Sequence, residues 1–383
     1  MRIGQYSDSF LPVVDGVGRV VVSYAQTMGQ MGHEVTVFAP RTDMGDTSAF
    51  PYRILTYNTV QMPGKMPYRI GFPQLDLAFD KKLDTIDLDI IHVHSPFMSG
   101  HAGIHLAKKR GIPVIGSFHS KYYDDFAQVL KSDLLAKGGV RYVVDFYEQC
   151  DEVWAVSEAT AETLKEYGYP GKVYVMPNGT DIRTLDPAVL PELRARFALP
   201  QDVPLLLYVG QMNWKKNIRR ILEAAKILQG QDCRFHLVLA GQGPHRDEIE
   251  EAANTMGLGG QVTFTGHLQD TRLLDGLYAL ASLFVFPSLY DNAPMVLREA
   301  AMMGTPAVLV AKSSAAENVR DEENGFTCED TAESLADAIA RGLGDEQRRK
   351  QVGQAARETI PVSWNTIMED VLERYEMLIN DKR

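Results

Sequence analysis

Leu205-Leu206-Leu207-Tyr208-Val209-Gly210-Gln211-Met212-Asn213-Trp214-Lys215-Lys216-Asn217-Ile218 is the stretch on which the fold turns. Five apolar residues in an unbroken run suit a strand buried on both faces. Gly210 ends the run, and from Ile218 to Leu228 the apolar residues recur with helical period. A strand of this kind feeding an amphipathic helix is half of a βαβ unit, and such units lay their strands parallel. Downstream the pattern repeats at 236–240, 262–265, 283–287 and 307–311, with a helical period over 273–281. Upstream it appears at 2–7, 34–40, 53–57, 90–94, 113–119, 153–157 and 173–176. Two such sets predict an α/β chain of two Rossmann-like domains, each a doubly wound parallel sheet.

The break between the sets runs from Asp186-Pro187 to Asp202-Val203-Pro204, rich in proline and charge with a short helical pattern at 192–197, and is the expected linker. The domains are therefore drawn at 1–185 and 186–362. A last helix within 363–383 carries Ile367, Val371, Leu372, Tyr375 and Leu378 on one stripe and is a candidate to pack back on the first domain. Length agrees, since 383 residues exceed the roughly 250–300 that one core serves. A net charge of -11 is the wrong sign for a protein that coats phosphate backbones, so nucleic acid is excluded as a partner. Cys150, Cys233 and Cys328 are scattered and odd in number, which indicates neither a disulfide framework nor a thiolate zinc site. No apolar run reaches the ~18–20 residues of a membrane span, and Met1-Arg2-Ile3-Gly4 enters a strand directly, so the expected compartment is the cytoplasm.

Ligands of open parallel sheets bind beyond the carboxyl ends of the strands, so residues just past each run carry the information. After the first come Asp15-Gly16-Val17-Gly18, where glycine amides at a helix start would let an anionic oxygen approach. His119 follows the run 113–118. His92 and His94 share a strand with no third ligand in view, which favours core or hydrogen-bonding roles over a metal. Asp87-Leu88-Asp89 has a metal-binding spelling but precedes its strand, at the opposite end of the sheet, and is rejected as a metal site. In the second half the turns are Gly210-Gln211 with Lys215-Lys216, Ala240-Gly241-Gln242-Gly243 and Thr265-Gly266-His267-Leu268. The densest signal is Ser288-Leu289-Tyr290-Asp291-Asn292-Ala293-Pro294-Met295-Val296-Leu297-Arg298-Glu299, where a helix beginning near Asn292–Pro294 exposes N–H groups suited to a diphosphate. Glu299 lies among apolar residues and requires a partner there. Ribose hydroxyls would be one, and a protein cation another.

These residues resemble the retaining GT-B glycosyltransferases of family 4 over nearly the whole chain. Asp291 and Glu299 stand at the two acidic positions of that family's Glu-x7-Glu motif, with Asp for the first Glu. Lys216 matches its phosphate-binding lysine, while Gln211 replaces the usual arginine and Asn217 the glycine after the lysine. The resemblance implies a cleft between the domains, with the nucleotide sugar held mainly by the second and the acceptor by the first. Catalysis would then rest on His119, Lys216, Asp291 and Glu299. Donor contacts would come from Gly16, Val17, Gly210, Gln211, Gly241, Gly266, His267, Leu268, Asn292, Ala293, Pro294, Met295 and Glu299. Neither a cofactor nor a metal is implied.

Within the family the first third, with Asp15-Gly16-Val17, His92-Val93-His94-Ser95-Pro96-Phe97 and Phe118-His119-Ser120, is most similar to bacterial glucosyltransferases acting on diacylglycerol. That implies UDP-glucose as donor and a lipid acceptor. The alternatives are a soluble sugar or glycan acceptor, a sugar-nucleotide epimerase of the same fold, and a binding module without turnover. The segment 61–72 combines Met62, Tyr68, Ile70 and Phe72 with Lys65 and Arg69 and no acid, the composition of a weak peripheral contact with a membrane.

Overall fold

The structure, a computed structural model, describes residues 1–12, 15–61 and 69–382, so most of the segment 61–72 lies outside the described residues. The chain divides into two compact units, Met1–Gly179 together with Trp364–Arg383, and Thr180–Ser363. In the first unit the strands are β1 (Arg2–Tyr6), β2 (Glu34–Pro40), β3 (Arg53–Tyr57), a hairpin of β4 (Thr59–Gln61) and β5 (Arg69–Gly71), then β6 (Ile90–Val93), β7 (Val114–Phe118), β8 (Glu152–Ala155) and β9 (Val173–Val175). Seven of them form one sheet in the order β3-β2-β1-β6-β7-β8-β9, every pair parallel. In the second unit β10 (Leu205–Val209), β11 (His236–Ala240), β12 (Val262–Gly266), β13 (Leu283–Phe286), β14 (Ala307–Val310) and β15 (Phe326–Cys328) form a parallel sheet ordered β12-β11-β10-β13-β14-β15. The central strands are almost wholly buried, as their unbroken apolar runs require.

Each sheet reverses its winding direction once, between β1 and β6 in the first and between β10 and β13 in the second. Such a reversal opens a crevice at the carboxyl ends of the two diverging strands, the usual ligand position in a doubly wound sheet. Ser7, His94, His119, Pro287 and Ala311, which the apolar runs seemed to include, are each the first residue past a strand's carboxyl end. Polar side chains and proline leave the ladder there.

The stretch expected to link the domains belongs instead to the second unit, which begins at Thr180. Its short helix is Val189–Arg196, and Val189, Leu193 and Leu199 are buried in the core beneath the second sheet. Thr180 pairs with Ser363 in an isolated parallel bridge where the chain crosses out and back. The last helix, Trp364–Lys382, packs within the first unit through Trp364, Ile367, Met368, Val371, Tyr375 and Ile379. Ion pairs of Arg374 with Glu152 and of Lys382 with Asp151 fasten it. Among the described residues no helix is long and apolar enough to cross a membrane.

Candidate active site

At the reversal of the second sheet, the turn after β10 and the turn after β13 are held together by charge. Asn213 caps a single 3-10 turn, Trp214–Lys216, by accepting the Lys215 N–H. Asn217, which stands where the resembled family has glycine, then takes φ 60°, a left-handed conformation that glycine adopts freely and asparagine tolerates best among the other residues. Its side-chain amide donates to the Pro287 carbonyl at 3.1 Å and so ties the two turns. Lys216 Nζ reaches Asp291 Oδ1 at 2.5 Å, and the other oxygen of Asp291 accepts the Ser288 hydroxyl. Both members of the pair are mostly shielded, at 15% and 20% side-chain exposure, which strengthens the attraction over that of a solvated pair. The Lys215 and Lys216 ammonium groups lie 4.8 and 4.9 Å from the centre of the Tyr290 ring. Gln211 is exposed, and no charge replaces the family's arginine at that position.

The glycine turns meet beside this pair. Gly210 N–H donates to Ala240 and Gly241 N–H to Gly266. Gly241 has φ 140°, and a Cβ there would stand 1.9 Å from the Gly210 carbonyl oxygen, so the approach of these turns requires glycine. His267 is exposed and Leu268 half-buried just beyond. The helix Met295–Met302 begins after Asn292, Ala293 and Pro294, with Pro294 as an N-cap that lends no side-chain bond.

Glu299 is 3% exposed on that helix. The Tyr278 hydroxyl donates to it at 3.2 Å, and Arg183 lies 4.0 Å away while binding Asp275 through two bonds of 2.8 Å. The burial argument that called for ribose hydroxyls is therefore answered from within the chain, because a phenol and a guanidinium supply what a buried carboxylate requires. Arg183 and Asp275 escaped the sequence reading. The available signal was Asp275 itself, an acid inside the apolar stretch Leu273-Leu274-Asp275-Gly276-Leu277. Arg298 was missed as well. It is 7% exposed, reaches back to the Ala293 carbonyl at 3.4 Å, and its Nε has no hydrogen-bond partner among the described residues.

In the first unit the helix Gly16–Gln30 starts past β1. Asp15 accepts the Gly18 N–H at 2.7 Å and the Ser9 hydroxyl, so a carboxylate of the chain takes the amide that was expected to meet an anion. Gly16 is exposed and Val17 half-buried. His119 stands half-buried past β7, with its Nε2 3.2 Å from His94 Nδ1. Desolvation lowers its pKa to about 4, and burial lowers those of His92 and His94 well below the ordinary imidazole value. All three rings are neutral near pH 7. His92 and His94 make hydrogen bonds to side chains, in line with the hydrogen-bonding reading. Asp87 and Asp89 are ion-paired with Arg2 at the amino end of the first sheet, and among the described residues no group of three or more His, Cys, Asp or Glu could hold a metal ion.

Two parallel-sheet Rossmann-like units, with a lysine and an acid paired at the reversal of the second, define a chain of the GT-B class. Family comparison agrees: the model for Glycosyltransferase Family 4 matches residues 14–184 and that for Glycosyl transferases group 1 matches residues 190–359. The chain belongs to this glycosyltransferase family and is an enzyme of that kind. It is 28% identical to an alpha-monoglucosyldiacylglycerol synthase of Streptococcus pneumoniae, over 80% of this chain and 70% of that one. It is 25% identical to a GDP-mannose-dependent alpha-mannosyltransferase of Mycobacterium tuberculosis, over 98% and 96%. Among solved structures, a sucrose-phosphate synthase from Thermosynechococcus elongatus superposes with a TM-score of 0.83 at 24% identity, covering 99% of both chains.

Proposed function

We propose that this glycosyltransferase moves glucose from UDP-glucose to a lipid acceptor such as diacylglycerol, with retention at the anomeric carbon. The observation that carries the reading is the Lys216–Asp291 pair at the reversal of the second sheet, where a lysine suits the diphosphate of a nucleotide sugar and an acid suits the sugar hydroxyls. On this reading Lys216 leaves Asp291 for the donor phosphates and stabilises the charge that builds on them as the bond to the sugar breaks. Lys215, over the same Tyr290 ring, supplies the second cation that Gln211 does not. The amides of Asn292 to Met295 meet the donor, and Gly210, Gly241, Gly266, His267 and Leu268 line its base and ribose. Glu299 is assigned to the ribose from the family resemblance, a step in which it would exchange its bond to Tyr278. His119, Gly16 and Val17 are assigned to the donor from the family resemblance alone. The acceptor oxygen bonds to the anomeric carbon on the face that the phosphate leaves, and the departing phosphate oxygen takes the acceptor's proton. Positioning then provides most of the acceleration, with no cofactor or metal.

The relative named for glucosyldiacylglycerol synthesis supports a lipid acceptor. So do exposed apolar side chains on the helices Tyr122–Leu130 and Asp133–Tyr147, where Val129, Leu134 and Leu135 are 65%, 79% and 56% exposed. Such residues suit weak peripheral contact with the cytoplasmic face of a membrane. The test is incubation with UDP-glucose, UDP-galactose or GDP-mannose and diacylglycerol vesicles, with and without EDTA, reading nucleotide and lipid by mass spectrometry. The expected result is UDP with monoglucosyldiacylglycerol, unchanged by chelation, and flotation with the vesicles that Leu134→Asp with Leu135→Asp abolishes. Turnover with GDP-mannose alone, efficient transfer to a soluble sugar, or an epimerised donor without acceptor would each replace this reading.

A further inference from the structure

Buried charges at the carboxyl edge of the second sheet are met by opposite charges of the chain, Lys216 by Asp291 and Asp275 by Arg183. Arg298 departs from that pattern. It is the fourth residue of the helix Met295–Met302, and because helical side chains lean toward the N-terminus its stem runs back over the first turn. The guanidinium there donates from Nη1 to the Ala293 carbonyl at 3.4 Å, the outer limit of a hydrogen bond, while Nε has no hydrogen-bond partner among the described residues. At 7% exposure it has little water to turn to. The carboxylate that bears on it is Glu317, past the 3-10 turn Ser314–Ala316, yet burial draws the Arg298 pKa down by more than Glu317 raises it.

An arginine keeps its charge when buried, so this shortfall persists at any ordinary pH. Its position deepens the shortfall. The guanidinium stands by the N-terminal end of a helix, where the backbone dipole is positive and repels a cation. An acid in the first turn or a capping carboxylate would relieve both, but the first turn contains no acid and Pro294, the N-cap, lends no side-chain bond. What remains to be matched is positive charge and N–H groups, and an anion from outside the chain matches them. Lys216 meets the same loop at Asp291, two residues from Ala293. Two cations on one short loop suit two linked phosphates, and a planar guanidinium suits phosphate oxygens better than an ammonium does.

We propose that Arg298 is a further cation for the donor's diphosphate, acting at the loop Asp291–Pro294 alongside Lys216. The inference rests on the reading of that loop as the donor site. In the free chain the unmatched charge is a cost, and binding of a nucleoside diphosphate removes it. Part of the affinity for the donor is thus held in Arg298 before the donor arrives.

The test measures Kd for UDP and GDP by calorimetry, and for uridine and guanosine by ligand-observed NMR, on the full chain, Arg298→Met and Arg298→Lys, with Tm recorded for each free protein. Arg298→Met should bind the diphosphate at least about tenfold more weakly and the matching nucleoside within about twofold, while Arg298→Lys recovers most of the loss. Free Arg298→Met should melt no lower than the unaltered chain, because an apolar side chain of similar length replaces an unmatched charge. Unchanged diphosphate affinity in Arg298→Met overturns the proposal. So does equal weakening of diphosphate and nucleoside, which makes the residue a support of the loop only. A free Arg298→Met that melts lower or does not fold overturns it too, by showing the charge already matched within the chain. Preference for GDP over UDP leaves Arg298 in place and replaces the UDP-glucose reading, whereas binding of neither diphosphate by the unaltered chain removes both.

Discussion

The carboxyl edge of the first sheet and that of the second do their work with different electrostatics. Around His119 the polar groups are neutral and buried, and each is matched by direction: His94, Gln5, Tyr375, His92 and Ser117 in turn. Around Lys216 the groups are ionic and matched by sign: Lys216 with Asp291, and Arg183 with Asp275 and, at the limit of contact, Glu299. A neutral network fails when one member changes its protonation. An ionic one fails when one charge is removed. The two edges should therefore respond to different perturbations, acid for the first and charge deletion for the second.

Acid gives the largest expected effect. His92 and His94 have pKa values lowered by burial, and His119 is lowered to about 4, so between about pH 6.5 and 4 the unfolded chain binds protons that the folded chain refuses. Stability then rises with pH through that window and is lost as pH falls, by about 1.4 kcal/mol per pH unit for each fully buried ring. The urea midpoint should be lower at pH 5 than at pH 7; an unchanged or higher midpoint at pH 5 would show that the rings are not held neutral. Next comes Arg183→Met, which leaves Asp275, at 5% side-chain exposure, without its cation. Urea unfolding should show a loss of about 3 kcal/mol, the usual cost of stranding a buried charge. A loss below 1 kcal/mol would mean that the second edge does not depend on matched sign.

Lys216→Ala tests the same edge by function rather than stability. In a folded variant kcat/KM should fall by more than about 2 kcal/mol of transition-state stabilisation, roughly thirtyfold. Near-normal kcat/KM would remove Lys216 from the donor site and with it the functional contrast. The smallest effect is expected at Ala293, which holds φ 40° in the turn before the helix Met295–Met302. Replacing it with glycine relieves the left-handed strain and should stabilise the chain by at most about 1 kcal/mol, read as a small rise in Tm. A fall in Tm would mean that the alanine methyl contributes packing that outweighs the strain.

The two edges also differed in how much of them could be read beforehand. Both sheets were legible because strands buried on both faces are continuously apolar, and β2, β3, β10 and β11 match their runs residue for residue. β15 was not, since Phe326-Thr327-Cys328 is too short to carry a period. The Lys216 and Asp291 turns could be found because charge at a strand's carboxyl end stands out against its apolar approach. Tyr375 was visible only as one more member of an apolar stripe, and Gln5 only as a polar residue within a strand. Their meaning depends on three-dimensional neighbours hundreds of positions away. Arg183 lay before the expected linker, where nothing in the local pattern marks a residue that belongs to the second core.

The crossing at Thr180 and Ser363 has a bearing on how this protein is made. A ribosome delivers residues in order, and the second unit is one contiguous segment whose strands and helices all emerge before Trp364. The first unit begins earlier but lacks Trp364, Ile367, Val371 and Tyr375 from its interior until the end. During synthesis, therefore, the unit that starts first is the one whose interior is completed last, after every residue of the second unit has been made.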